Sequence, residues 1–378
     1  MKKSDLIFLS ISFFVWRITI LAIAFLSTKF IPLYSRDFLG GSFSTYQTNP
    51  IFWGHLNFDG EHYLALAQFG YQPLTYFFFP LFSFLVSIMT GLKSIDNLAI
   101  TGLIISNLSM FILLIGIYKL VKLDFEESIA KLTVILLLVF PTSFFFGSFY
   151  TESIFLCLVV WSFYFARNQN FLLASLLAAL ASAARVIGIA LLPVLVVEWL
   201  SSKNKDSSNL LEVIFISPLG LLIYLFYLVR KTGDALIFLH QITIYGGQRS
   251  SNLVLLPQVL YRYAIKIIPN IPLNFFPAAF TILLEFSISI IFIGIIIYTI
   301  LKLRLSYSLY ATLSFLIPTL TGSFSSMPRY VLVIFPSFIA IALVINKFPK
   351  IYKYLLFFGM LILSGLSIAL FWRGYWIS

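Results

Sequence analysis

Charge is scarce in this 378-residue chain. Asp, Glu, Lys and Arg make up 10% of it, against 60% hydrophobic residues. So little polar surface excludes an ordinary soluble enzyme, and the mean hydropathy of +1.00 agrees. Acids are the rarer sign, 14 against 25 Lys and Arg, and there are three histidines. The single cysteine, Cys157, excludes an intramolecular disulfide; its place in an apolar run fits a small packed hydrophobe. No phosphate-cradling Gly-rich loop leads into a helix, which argues against a nucleotide-sugar domain. The basic residues behind the net charge of +11 are scattered and form no stripe, which argues against nucleic-acid binding.

What is present is a succession of apolar runs long enough to cross a hydrocarbon core. The first, residues 6–26, has span length and no small-residue cleavage site after it, so it reads as a membrane span. Phe dominates an aromatic content of 18%, as suits lipid-facing and interfacial surfaces. Lys2 and Lys3, Lys203 and Lys205, Lys302 and Arg304, and Lys347, Lys350 and Lys353 mark cytoplasmic segments under the positive-inside rule.

Spans are then expected over 98–118, 131–147, 152–166, 210–229, 279–301, 305–322, 331–346 and 354–371, with 171–200 as two short helices meeting near Arg185. Parity leaves the run 75–92, interrupted by Pro80, as a re-entrant or interfacial segment unless a helix elsewhere is miscounted. The expected fold class is an all-α polytopic membrane protein with about eleven spans, in a range of about ten to twelve, in a single domain over 1–378. Two long external segments stand out, 28–74 and 231–277, the second with a flexible stretch, Gly246-Gly247-Gln248-Arg249-Ser250-Ser251.

A polar island, Asn57-Phe58-Asp59-Gly60-Glu61-His62-Tyr63, lies in the first of these. Asp59 opens an amphipathic helix ending near Gly70. It reads equally as a helix cap and as a catalytic base, roles that can coexist. Glu61 is favourable to the helix dipole or solvated at the surface, and Glu152, at the tip of the 131–166 hairpin, has the same dipole reading beside a site role. His55, Asp59 and His62 match no standard zinc spacing, so no metal is expected there, although a divalent ion elsewhere in the chemistry stays open. Arg185 follows Ala181-Ser182-Ala183-Ala184 in apolar surroundings, where a cation calls for an anion or for snorkelling to the interface. A lipid phosphate is a natural partner for its fork of donors. Arg249 and Arg329 carry the same two readings.

These residues form an ordered set. Phe58-Asp59-Gly60-Glu61-His62-Tyr63, with Ala67, Gly70 and Tyr71, resembles the W-D-G-x-H-Y/F…A…G-Y signature of the PIG-V family of mannosyltransferases. Phe78-Phe79-Pro80-Leu81-Phe82, Pro141-Thr142-Ser143-Phe144-Phe145 with Tyr150-Thr151-Glu152-Ser153, and Ala184-Arg185-Val186-Ile187-Gly188 resemble further segments of that family. Gly233-Asp234, Pro328-Arg329-Tyr330 and Gly374-Tyr375-Trp376 are similar to elements of its prokaryotic members. Phe58 stands where the family usually has Trp.

The resemblance implies a GT-C-like helical bundle that uses a polyprenyl-phosphate sugar on the non-cytoplasmic face, with Asp59 as base. In the expected mechanism Glu61, His62 and Glu152 position sugar or acceptor hydroxyls, Arg185, with Arg329 or Arg249, stabilises the phosphate charge, and one base with cationic groups suffices without a cofactor, a divalent metal being optional. The expected partners are a polyprenyl-phosphate-sugar donor, a lipid, glycan or protein hydroxyl acceptor, and membrane lipids. A prokaryotic plasma membrane is the expected location. The rival expectations are a lipid or glycolipid transporter or flippase, and a non-catalytic glycolipid-binding subunit. A transporter predicts repeat-related halves with polar groups near the midplane, and no repeat is visible.

Overall fold

The computed structural model describes residues 2–203, 205–244 and 249–377. Gly246, Gly247 and Gln248, expected to be flexible, lie outside the described residues. The longer helices are α1 (Lys3–Phe30), α2 (Asp59–Phe69), α3 (Pro80–Met89), α4 (Ile95–Val121), α5 (Glu127–Val139), α6 (Glu152–Arg167) and α7 (Phe171–Ala184). They continue with α8 (Leu191–Leu200), α9 (Ser207–Ile216), α10 (Leu219–Thr232), α11 (Phe276–Lys302), α12 (Leu305–Thr319), α13 (Phe335–Asn346) and α14 (Lys350–Trp372). Strand-like pairing among the described residues is limited to an isolated parallel bridge between Val254 and Thr321.

Local chemistry sets the ends of these helices. Ser94, Asn170 and Asp206 each accept a backbone N–H at an N-terminus. Pro80 occupies the first turn of α3, where its missing N–H costs nothing. Gly70 and Gly233, at φ 73° and 78°, stop α2 and α10 in a conformation that side chains resist.

Among the described residues, five helical segments are long and apolar enough to cross a membrane: α1, α4, Ser207–Thr232, α11 and α14. The pair Met327–Val333 and Phe335–Asn346 has the length and composition of a sixth, as a broken span or a re-entrant loop, with axes meeting at 86°. Several apolar runs that the sequence offers as full crossings are shorter. The α5, α6, α7 and α12 helices have 13, 16, 14 and 15 residues, below the roughly 20 that a straight crossing needs. The causes are local: Pro141 follows α5, extended backbone at Arg185 ends α7, and Pro318 sits at the end of α12. The run 75–92 yields only the ten-residue α3, in keeping with a segment that does not cross.

Large apolar side chains such as Phe14, Ile18, Phe226, Leu301 and Phe358 are exposed along the long helices. In a multi-pass membrane protein that surface faces lipid. The interior is aromatic: Phe144, Phe145, Tyr150, Phe371 and Trp372 are buried in one cluster. Their rings pack, mostly edge to face, at centroid separations of 4.4 to 6.2 Å. This aromatic floor ties α14 to the polar island and to the start of α6.

Candidate active site

Asp59 is held by the backbone in front of it. Phe58 has φ 57°, a left-handed conformation that costs a non-glycine residue about 1–2 kcal/mol. Its surroundings impose that geometry. The Phe58 N–H donates to the Phe38 carbonyl at 2.8 Å. Asn57 Nδ2 donates to the Phe371 carbonyl at 2.9 Å, and the Tyr150 hydroxyl donates to the Asn57 carbonyl at 2.7 Å. The Phe58 ring packs on Phe371 and Trp376 at 5.5 and 5.0 Å, so an aromatic wall is kept where Trp is usual.

Phe58, rather than Asp59, occupies the N-cap position of α2, and no side chain caps that end. The capping reading of Asp59 is therefore corrected. Its carboxylate turns away from the helix end and accepts from Arg329 Nη1 at 2.6 Å.

Four further charged groups converge here. Glu152, at the start of α6, is 1% exposed, and Arg329 is 6% exposed. Glu152 Oε1 accepts from Arg185 Nη1 at 2.6 Å and lies 3.5 Å from Arg329 Nε. Its other oxygen, Oε2, has no hydrogen-bond donor among the described residues. Arg249 Nη2 donates to the Tyr330 hydroxyl at 3.0 Å and to the Ser325 carbonyl at 3.3 Å. Among the described residues, no carboxylate lies within ion-pair distance of Arg249. The guanidiniums of Arg185, Arg249 and Arg329 lie 5.5, 5.6 and 5.5 Å from the Tyr330 ring centroid, so one aromatic ring bears on all three cations.

All five charged residues line a cavity of about 140 Å³, walled by Tyr63, Phe77, Phe78 and Phe79 on one side and Ile317 and Pro318 on the other. Three guanidiniums face two carboxylates, so the cavity carries a formal surplus of one positive charge. Burial pushes the Asp59 carboxyl up, but the charge and hydrogen bond of Arg329 outweigh it, with smaller help from His62 and Arg249. The net direction is down.

Glu61 and His62 are not in the cavity lining. Glu61 Oε1 accepts from the Gly41 N–H at 2.9 Å and so fastens the preceding loop to α2. Burial pushes its carboxyl up to about 7; the Gly41 bond opposes this and Asp37 adds to it. The His62 ring stacks on Phe78 at 4.9 Å, behind the cavity wall. His55 is buried, with Nδ1 3.0 Å from the Ile51 and Phe52 carbonyls and Nε2 2.7 Å from Arg17 Nη2. Arg17 can only donate, so the proton sits on Nδ1 and the imidazole is neutral. Among the described residues, no group of three or more His, Cys, Asp or Glu side chains is placed to hold a metal ion.

Two contributors escaped the sequence reading. Tyr330 was visible only as part of Pro328-Arg329-Tyr330; its place under three arginines is a product of the fold. Glu285 did leave a signal, as an acid within the apolar run of α11.

Helices that cross a membrane several times, with a buried charged cavity between them, define an integral multi-pass membrane protein. Residues 5–219 match the family model described as Mannosyltransferase (PIG-V), more than half of the chain, and the chain belongs to that family. No curated protein matches the chain. Among solved structures, the Archaeoglobus fulgidus oligosaccharyltransferase in complex with Zn and sulfate is similar at 16% identity and a TM-score of 0.47. That likeness covers 95% of this chain and 53% of the other. The oligosaccharyltransferase AglB of the same organism, in complex with an inhibitory peptide and a dolichol-phosphate, is similar at 15% identity and a TM-score of 0.44. Here the coverage is 96% and 56%. The chain spans about half the length of these proteins.

Proposed function

We propose that this glycosyltransferase moves a hexose, mannose in the first instance, from a polyprenyl-phosphate carrier to an acceptor hydroxyl. In this reading the whole chain is one catalytic domain of a prokaryotic plasma membrane, with the cavity on the external face. The observation that carries the proposal is the convergence of Asp59, Glu152, Arg185, Arg249 and Arg329, from five separate parts of the sequence, on one buried cavity with a surplus positive charge. A phosphate-linked sugar brings the missing negative charge together with hydroxyls for the carboxylates.

In the proposed step, the acceptor oxygen attacks the anomeric carbon and its proton passes to Asp59. The bond from that carbon to the phosphate oxygen breaks on the opposite face. The product has inverted configuration, and the lipid phosphate leaves with the bonding pair. A phosphate needs no protonation to leave near neutral pH, so one base and fixed cations suffice.

The pairing of Asp59 with Arg329 gives the step an order. While Arg329 holds the carboxylate, Asp59 is a weak base. A donor phosphate competes for Arg329, draws it away and raises the basicity of Asp59 only when substrate is present. Arg249, which has no carboxylate partner among the described residues, meets the phosphate first. Glu152 Oε2, a buried acceptor without a donor among the described residues, suits a sugar hydroxyl.

The test is incubation of purified protein with polyprenyl-phosphate-mannose and a panel of lipid, glycan and peptide acceptors. Mannosylated product with release of polyprenyl phosphate is expected. Movement of intact donor across a vesicle bilayer, with no sugar transfer, would replace the enzyme with a carrier.

A further inference from the structure

The proposed reaction leaves the buried acids Asp5, Glu198 and Glu285 unused, and among the described residues Glu285 is the one that bonds to the turn carrying Arg329. Glu285 lies about a third of the way along α11 and is 5% exposed. A carboxylate in such a helix is expensive unless donors surround it. Its Oε1 accepts from the Ser326 N–H at 2.9 Å. Ser326 has φ 67° and ψ 10°, a left-handed conformation in a residue other than glycine. The Ser326 carbonyl in turn accepts from the N–H groups of Arg329 and Tyr330, each at 3.0 Å. Both faces of this one residue are thus committed: its N–H to Glu285, its carbonyl to the turn that carries Arg329 and Tyr330.

The same turn collects Arg249. Besides the Tyr330 hydroxyl, Arg249 Nη2 donates to the Ser325 carbonyl at 3.3 Å and lies 3.4 Å from Ser326 Oγ. A second support arrives from Tyr263, whose hydroxyl accepts from the Phe324 N–H at 3.2 Å. Removing Glu285 takes away the bond to the Ser326 N–H that helps offset the cost of the left-handed backbone. The turn then relaxes, and Arg329 and Arg249 leave their places together.

We propose that Glu285 is the positioning residue of the site: from within a membrane-spanning helix it fixes the Ser325–Ser326 turn, and through it the two guanidiniums that receive the donor phosphate. The inference rests on the proposed function for the identity of the phosphate, and not for the geometry.

Binding of sugar-free polyprenyl phosphate to the purified full chain tests it, because that lipid reads the arginines without the chemistry. Glu285→Ala should weaken binding about tenfold or more, as expected when a buried N–H loses its acceptor. Glu285→Gln keeps a carbonyl acceptor for the Ser326 N–H and should stay within about threefold of the parent. Ser326→Gly removes the backbone strain, so adding it to Glu285→Ala should recover part of the lost affinity. A merely structural role would lower the melting temperature and leave binding by the folded fraction unchanged. If Glu285→Ala does not fold, Glu285→Asp, which withdraws the carboxylate by one methylene, takes its place in the comparison. Parent-like binding by the folded Ala or Asp variant overturns the proposal, as does a Gln variant no better than Ala. Absence of mannosyl transfer by the parent protein would sink the proposed function alone, since the lipid-binding comparison stands without it.

Discussion

At the scale of single residues, the site is a set of contacts that substrate must exchange. Asp59→Asn removes the proton acceptor and the charge that holds Arg329. Transfer should fall by about 10²–10⁴-fold, while binding of polyprenyl phosphate is kept or improved because Arg329 is set free. A kinetic assay beside a lipid-binding assay separates the two. Arg185 behaves differently, since its first partner is the buried Glu152. Arg185→Ala leaves that carboxylate with Arg329 alone, at 3.5 Å, and should cost about 1–3 kcal/mol of stability, read as a lower melting temperature in detergent. Pairing it with Glu152→Gln should recover most of the stability and none of the activity.

Glu61 supplies a pH dependence. Its folded-state pKa is raised to about 7 from 4.5, so the folded state binds the proton more tightly than the unfolded one. Stability is therefore greatest below 4.5 and declines as pH rises to about 7. Glu61→Gln, which keeps an acceptor for the Gly41 N–H, should flatten that decline in melting temperature between pH 5 and pH 8.

At the scale of elements, the breaks in the helices do as much as the helices. The α7 helix stops at Arg185, whose extended backbone directs the side chain to Glu152, and the chain resumes through a tight turn closed by Gly188 N–H donating to the Arg185 carbonyl at 2.9 Å. A Cβ at Gly188 would fall 2.4 Å from the Ser182 nitrogen and 2.5 Å from the Ala181 carbonyl oxygen. Backbone cannot yield as a flexible side chain can. Gly188→Ala should cost about 1–3 kcal/mol and weaken polyprenyl phosphate binding through a displaced Arg185, by the same two assays. Much of this was legible in the sequence. Asp59, Glu152, Arg185, Arg249 and Arg329 were singled out as candidate site residues, Arg185 for its apolar surroundings, and the junction at Arg185 was expected from the run 171–200. The number of full-length spans was not, because hydropathy averages over a break. It scores Pro141, Arg185 and Pro318 as punctuation within apolar stretches, whereas each ends a helix. The partners were not legible either. Which acid meets which arginine depends on packing between residues as far apart as 59 and 329, and no local pattern records it.

At the scale of the whole molecule, the two ends of α6 carry separate charge clusters. Glu152 opens the helix at the cavity, and Arg167 closes it, about 24 Å away for 16 residues. There Arg167 donates from both Nη atoms to Asp124 at 2.6 and 2.7 Å, while Glu198 accepts from Arg304 at 3.1 Å. This second cluster joins segments that the lysine pattern places in the cytoplasm. In a variant lacking Cys157, single cysteines at the exposed positions Thr48 and Asn252 should react with an impermeant reagent from outside intact cells. Cysteines at Glu126 and Lys203 should react only after permeabilisation. Labelling of position 48 and position 126 from the same side would break both the topology and the one-sided site.

The most direct test of the central claim is the release of polyprenyl phosphate from polyprenyl-phosphate-mannose in a single turnover, by the purified parent protein and by folded Asp59→Asn, with acceptor present. The account predicts release coupled one-to-one to a mannosylated product by the parent, and release slowed by about 10²–10⁴-fold in the variant despite bound donor. Equal rates in the two proteins would contradict it.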